Sequence, residues 1–237
     1  MENQYTKTFT IQPQDCGENG MCRFVRLIGL MEDLVAGHVQ HLGVDGCFMH
    51  EKYNAGWMVL RRTVQVLSPI RAGDTVEITT WSRGLVGAGD YRDYRLCIDG
   101  REAALATEVW VLTDLDSRSL IMMRKVKELE QSHCPQAALN CKPRRLQEPE
   151  QAALCGTAVV QPDEIDINGH MNNVPYVAHA LEYLQDFDGC APYTVEMNYL
   201  HEVLQGEQMR YTRQWGADGQ TVCAYSGGHL SFLMHVS

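Results

Sequence analysis

Val64–Val76 reads VQVLSPIRAGDTV and Met197–Met209 reads MNYLHEVLQGEQM. The two align without a gap at an offset of 133; apolar residues coincide at five positions and Gly73-Asp74 falls on Gly206-Glu207. Each reads as a long β-type segment with a turn at its glycine. Upstream, the alternating run Thr8–Pro13 ends in Gln12-Pro13, and Ala158–Pro162 ends in Gln161-Pro162, at an offset of 149. Asn19-Gly20 falls on Asn168-Gly169 in the same register. Two anchors in one order, with a helical pattern between them each time, make the chain one unit present twice. The change of offset gives the first copy sixteen more residues between its anchors.

The first helical pattern places Phe24, Leu27, Ile28, Met31, Leu34, Val35, Val39 and Leu42 three and four apart. In the second, Val174, Val177, Leu181 and Leu184 form one face and Tyr176, Ala180 and Tyr183 another, so this helix is expected to be buried nearly all round. Alternation at Thr75–Trp81, Tyr91–Ile98 and Glu102–Thr113 supplies strands to the first unit. Arg210–Trp215, Thr221–Ser226 and His229–His235 do so for the second. Gln131–Gln151, with Pro135, Pro143 and Pro149, reads as the linker. The units are then 1–130 and 152–237, joined by 131–151. The expected class is α+β: two tandem hotdog units, each a long helix wrapped by an antiparallel sheet, paired into one continuous sheet. Neither half alone buries much core, and pairing remedies that.

The chain has 237 residues, 45% hydrophobic and 21% charged, an ordinary globular composition. No apolar run has the length of a membrane-spanning helix, and Met1–Gly20 lacks the apolar core of a signal peptide. Nine cysteines, an odd number with no Cys-x-x-Cys pair, point to a reducing, cytoplasmic setting. A formal charge of −10 disfavours nucleic acid as a partner. Local basic clusters remain at Arg61-Arg62, at Arg124, Lys125 and Lys127, and at Lys142, Arg144 and Arg145. His38 and His41 share one helix face without a metal-ligand pattern and read as surface or boundary residues.

Chemistry concentrates in Asp163–Glu182, DEIDINGHMNNVPYVAHALE. Asp166, Asn168 and His170 alternate, which on an extended segment puts all three on one face. The helix follows at once, with Asn172 or Asn173 as candidate N-cap and Pro175 in its first turn. Its free N–H groups, near Met171–Val174, could stabilise an oxyanion. A carboxylate, an amide and an imidazole beside such donors make a hydrolase-like set; the same residues also serve as turn and capping residues.

This segment resembles the D-x-N-x-H-x-N-N signature of acyl-acyl carrier protein thioesterases, the plant and bacterial double-hotdog hydrolases of fatty-acid synthesis. Trp57–Trp81 (WMVLRRTVQVLSPIRAGDTVEITTW) is similar to that family's long strand and paired turn, and Val109–Leu120 (VWVLTDLDSRSL) to its W-V-L-x-x-x-x-T-R-x-L stretch. The likeness runs from about Phe9 to Val236. It implies catalytic roles for Asp166, Asn168 and His170. It also implies one for Glu202, the retained half of a Glu-Cys pair in the second unit's long strand. Val203 stands where the cysteine belongs, which favours a water-based or Asp-centred mechanism over acyl transfer to sulfur. In the first unit Gly17, Met21 and Pro69 occupy the positions of Asp166, His170 and Glu202. One active site per chain is therefore expected, in the second unit, with the first unit shaping an acyl pocket from candidates such as Met31, Leu34, Val35 and Trp57.

The implied reaction is thioester hydrolysis to free fatty acid and carrier thiol, without metal or organic cofactor. Glu202 or Asp166 takes a proton from water, or Asp166 attacks through a transient anhydride. The implied partner is acyl carrier protein with its phosphopantetheine-linked acyl chain, docking on Arg61-Arg62 or the 142–145 cluster, and the chain is expected to be a monomer or homodimer. An acyl-CoA thioesterase and a non-catalytic acyl-thioester sensor are the competing readings.

Overall fold

The computed structural model describes residues 4–86, 89–129 and 133–237. The first half contributes β1 (Tyr5–Thr10), α1 (Phe24–Leu42), α2 (Gly46–Tyr53), β2 (Ala55–Val66), β3 (Thr75–Val86), β4 (Gly89–Ile98), β5 (Arg101–Asp114) and β6 (Leu120–Ile121). The second contributes β7 (Ala153–Val159), α3 (Asn173–Glu182), β8 (Tyr193–Tyr199), β9 (Gln208–Gly216), β10 (Gly219–Ser226) and β11 (His229–Val236). The strands form one 11-stranded sheet in the order β1-β3-β4-β5-β2-β8-β11-β10-β9-β7, with β6 on β5. That order reads the same from either end once β1–β5 are matched to β7–β11, the signature of a duplicated unit joined about a two-fold axis. The seam is β2 against β8, antiparallel from Arg61 opposite Asn198 to Val66 opposite Tyr193.

The repeat holds hydrogen bond by hydrogen bond. Cys22 N donates to Ile70 O at 2.8 Å, and Met171 N to Val203 O at 2.8 Å. Ile11 N donates to Asp74 O at 2.9 Å, and Val160 N to Glu207 O at 3.0 Å. These pairs combine both offsets seen in the sequence. Of the first copy's sixteen extra residues, nine lengthen its helix, five lengthen its seam strand, and two lengthen the connection that carries α2.

The helix α1 buries the apolar stripe predicted for it, Phe24, Leu27, Ile28, Met31, Leu34 and Val35, with Leu30 added. Gly43, at φ 69° in the left-handed region, ends it. The shorter α3 departs from expectation. Only Tyr176, Val177 and Ala180 are buried, and the helix stops at Glu182, so Tyr183 and Leu184 lie beyond it. The long β-type segments are also corrected. Leu67–Asp74 and Leu200–Glu207 are the connections from β2 to β3 and from β8 to β9, strands that do not pair with each other; of their branched apolar residues Ile70 and Val203 are buried, while Leu67, Leu200 and Leu204 are exposed.

Gln131, where the expected linker starts, lies outside the described residues. Residues 133–152 form no helix or strand and bind the sheet instead. Gln136 O accepts from Trp81 Nε1 at 2.7 Å, and Leu146 N donates to Asn198 Oδ1 at 2.9 Å.

Charge is buried inside the first unit. Arg62 points inward and pairs with Glu108, both side chains fully enclosed, and with Glu32 of α1. Tyr94 Oη and Trp110 Nε1 also donate to Glu108, at 2.8 and 2.6 Å. Burial pushes the Glu108 carboxyl up, against the opposing pull of the Arg62 guanidinium. Arg62 therefore drops out of the expected docking cluster, because successive side chains of a strand point to opposite faces. His38 is likewise no surface residue: it is 3% exposed, with Arg92 Nη1 at 2.9 Å from its Nδ1.

Candidate active site

Asp166, Asn168 and His170 do come together, but through a turn rather than an extended segment. Asp166 N donates to His170 O at 2.8 Å and Gly169 N to Asp166 O at 3.1 Å. Gly169 takes φ 82°, a left-handed conformation that favours glycine. The Asp166 carboxylate knits this turn: Oδ1 accepts from Asn168 N at 2.8 Å and His170 N at 3.3 Å, and Oδ2 from Asn168 Nδ2 at 3.1 Å. The isolated bridge between Ile165 and Met171 closes the turn, leaving Ile167 exposed at its tip.

Glu202 arrives from the connection after β8, not from within a strand. Its Oε2 lies 3.1 Å from His170 Nε2. A third group, absent from the expected set, completes the cluster. Arg118 Nη1 donates to Glu202 Oε1 at 3.2 Å, and Arg118 Nη2 lies 3.1 Å from His170 Nε2. This arginine belongs to the first unit, on the turn between β5 and β6, where it adopts a left-handed φ of 57°. The loss of ionisable residues at the first unit's aligned positions therefore does not make that unit a bystander. The signal for Arg118 was the Ser117-Arg118 pair within VWVLTDLDSRSL, matching the T-R of the family stretch. Alignment of the two copies could not find it, because it has no counterpart in the site's own half.

His170 Nε2 thus stands between a donor and an acceptor. A proton on Nε2 is donated to Glu202; a bare Nε2 accepts from Arg118. Arg118 holds the other Glu202 oxygen in either case.

At the start of α3, Asn172 is the N-cap, its Oδ1 accepting from Val174 N at 3.0 Å. Met171 N donates to Val203 O and Asn172 N to Glu164 O, each at 2.8 Å. The expected row of oxyanion donors therefore narrows to Asn173 N–H. Its residue is pinned from two sides: Asn173 Nδ2 donates to Glu32 Oε1 at 3.4 Å and Tyr199 Oη to Asn173 O at 3.5 Å. Burial raises the phenols of Tyr199 and Tyr176, keeping both protonated as donors.

All four predicted residues, with Arg118 and Asn173, line one pocket. Its remaining walls include Trp57, Val59, Thr113, Tyr176 and Tyr199. The pocket lies between the β2 and β5 ends of the first unit and the α3 and β8 ends of the second, and it gathers a carboxylate, an imidazole and a guanidinium around one space, with Asn173 in its wall. Of the other expected lining residues, Met31, Leu34 and Val35 are buried core of α1 and do not reach it. At the matching turn of the first unit, Gly17, Asn19 and Met21 offer no acid–imidazole pair. Among the described residues no group of three or more His, Cys, Asp and Glu side chains is placed to hold a metal ion.

A model of the acyl-ACP thioesterase N-terminal domain matches residues 2–128 and one of the C-terminal domain matches residues 148–227. The chain is 26% identical over 198 residues to oleoyl-acyl carrier protein thioesterase 2, chloroplastic, of Arabidopsis thaliana, covering 75% of this chain and 53% of the relative. It is 24% identical over 198 residues to dodecanoyl-[acyl-carrier-protein] hydrolase, chloroplastic, of Cinnamomum camphora, covering 77% and 51%. The chain thus spans about half the length of the curated relatives it matches. Two solved structures share its fold. The 12:0-ACP thioesterase from Umbellularia californica has a TM-score of 0.89 at 20% identity, covering 100% of this chain and 97% of that one. The acyl-ACP thioesterase from Bacteroides thetaiotaomicron has 0.82 at 19%, covering 99% and 97%. The family matches take in most of both units, and on that ground the chain belongs to the acyl-ACP thioesterase family.

Proposed function

We propose that the protein hydrolyses the thioester of fatty acyl-acyl carrier protein, releasing free fatty acid and carrier thiol. The observation that carries this reading is the His170–Glu202 pair, 3.1 Å apart, braced by Arg118 in a pocket that Asn173 also lines. Glu202 is the general base: it faces the pocket, whereas both Asp166 oxygens are committed to the turn. Water gives its proton to Glu202 and its oxygen to the thioester carbon. The resulting oxyanion accepts from Asn173 N–H and the carbonyl reforms as the thiolate leaves. His170 orients Glu202, Asp166 and Asn168 hold the turn that presents His170, and Val203 offers no sulfur for a covalent route.

The mouth of the pocket meets a second hollow lined by His50, Leu115, Arg118 and Ile167, which suits an acidic carrier bearing an acyl arm. Arg144 is already paired with Glu196, at 2.7 Å, so within the 142–145 cluster Lys142 and Arg145 are left for docking. Nine free thiols accord with a reducing, cytoplasmic setting. One chain supplies both units of the sheet, which supports a monomer over a homodimer.

The test compares release of the same acyl group from carrier protein and from CoA. A higher kcat/KM on carrier protein supports the reading. A higher value on CoA replaces it with an acyl-CoA thioesterase, and saturable binding without free acid on either replaces it with a sensor.

A further inference from the structure

We propose that Trp57 is the floor of the acyl pocket and confines the enzyme to short acyl groups; this rests on the thioesterase reading. The indole is a wall shared by two cavities. On one side it faces the pocket of His170 and Glu202. On the other it closes a second cavity under the C-terminal end of α1, whose apolar walls are Val39, Leu42, Val44, Leu85 and Met123. An acyl chain entering past Asn173 meets this ring before it reaches the interior of the first unit.

The ring is held in place. Trp57 Nε1 donates to Val44 O at 2.9 Å, and the indole sits edge-on to Trp110 at 6.1 Å between centroids. Trp110 is itself anchored by its 2.6 Å bond to the buried Glu108. Swinging Trp57 aside would break the first bond and the ring contact together. Elsewhere in the pocket wall, Tyr176 and Tyr199 pack on each other and on Phe232.

The cavity beyond Trp57 is also a poor place for a methyl end in the native protein. Its lining also carries Asp90, Arg92 and Glu128, which are paired with Ser82, His38 and Tyr53, so hydrocarbon placed there meets polar groups that offer it no apolar contact. A short acyl group stays on the His170–Glu202 side of the indole, where Val59, Tyr176 and Tyr199 supply apolar and aromatic wall.

The experiment is a kcat/KM profile over saturated acyl-carrier proteins from butanoyl to octadecanoyl, for wild type, Trp57→Ala, Trp57→Met and Trp57→Ala combined with Leu85→Trp. Wild type is expected to favour short chains. Trp57→Ala joins the cavities and raises the dodecanoyl-to-hexanoyl ratio by about tenfold or more, the scale on which a pocket discriminates methylenes. Leu85→Trp refills the second cavity and returns the double variant towards the wild-type profile. Trp57→Met, which keeps apolar bulk, carries the test if Trp57→Ala does not fold, with a shift of the same sign. A wild type that prefers long chains, or folded Trp57 variants with an unchanged profile, overturns the floor while leaving the hydrolase intact. A wild type that releases acid from no chain overturns the thioesterase reading, and the floor with it.

Discussion

His170 Nε2 lies 3.1 Å from Glu202 Oε2, which joins the turn before α3 to the connection after β8. The backbone fixes this meeting: Met171 N donates to Val203 O at 2.8 Å, tying the residues that immediately follow His170 and Glu202. The same bond exists in the first unit between Cys22 and Ile70, where no acid–imidazole pair sits above it. The duplicated fold therefore supplies the scaffold twice, and the acid–imidazole pair sits on one copy.

Arg118 reaches this pair from the other unit. Arg118→Ala is expected to lower kcat on acyl-carrier protein by roughly tenfold, the scale of a charge-assisted hydrogen bond discounted for its half-exposed position. Arg118→Lys keeps the charge but not the two-pronged grip, and falls between. Steady-state kinetics on variants with unchanged unfolding midpoints check this; wild-type kcat in Arg118→Ala would contradict it.

Asn173 can be tested at its backbone. Asn173→Pro deletes the N–H at the first helical position, where proline is favoured, and Asn172 already has the extended ψ of 154° that a following proline demands. The expected loss in kcat is about 100-fold, against a much smaller loss for Asn173→Ala, which keeps the N–H. Equal losses in the two variants would assign the effect to the side chain.

The buried pair inside the first unit predicts a stability effect. Glu108→Ala leaves Arg62 enclosed with only the partly exposed Glu32, and should cost about 3–5 kcal/mol in urea unfolding. A cost below about 1 kcal/mol would show that Arg62 finds water or another partner.

His38 predicts a pH dependence. Burial, aided by the Arg92 charge, lowers its pKa from 6.5 to about 3, so the folded protein holds it neutral where the unfolded chain would protonate it. The unfolded state then binds the extra proton, and this contribution to stability, whole above pH 6.5, is lost as pH falls towards 3. His38→Gln should flatten the wild-type slope in that window by up to about 1.4 kcal/mol per pH unit, measured as unfolding free energy against pH.

The duplication was legible because each copy needs the same glycine turns and the same connector-to-turn hydrogen bonds, and these constrain residue types at fixed spacing. The turn from Asp166 to His170 was legible as residues, though not in its geometry. Alternation suggested a strand, but Asp166 can bond the N–H groups of Asn168 and His170, and that local competition bends the chain into a turn. The α1 stripe was legible because one face carries its burial. The extent of α3 was not, since Tyr183 and Leu184 continue the helical spacing after the helix has ended. Arg62 and His38 look like surface residues in the sequence; only tertiary pairing with Glu108 and Arg92 makes their burial tolerable. Arg118 joins the site across the seam between units, a relationship that no local pattern encodes.

The most direct test is the rate of free fatty-acid release from acyl-acyl carrier protein by wild type, Glu202→Gln and His170→Ala at equal folded concentration. The account predicts release by wild type, with each variant slowed by about 100-fold or more and folded as wild type. Full activity in folded Glu202→Gln, with loss on Asp166→Asn instead, would contradict the assignment of Glu202 as the base.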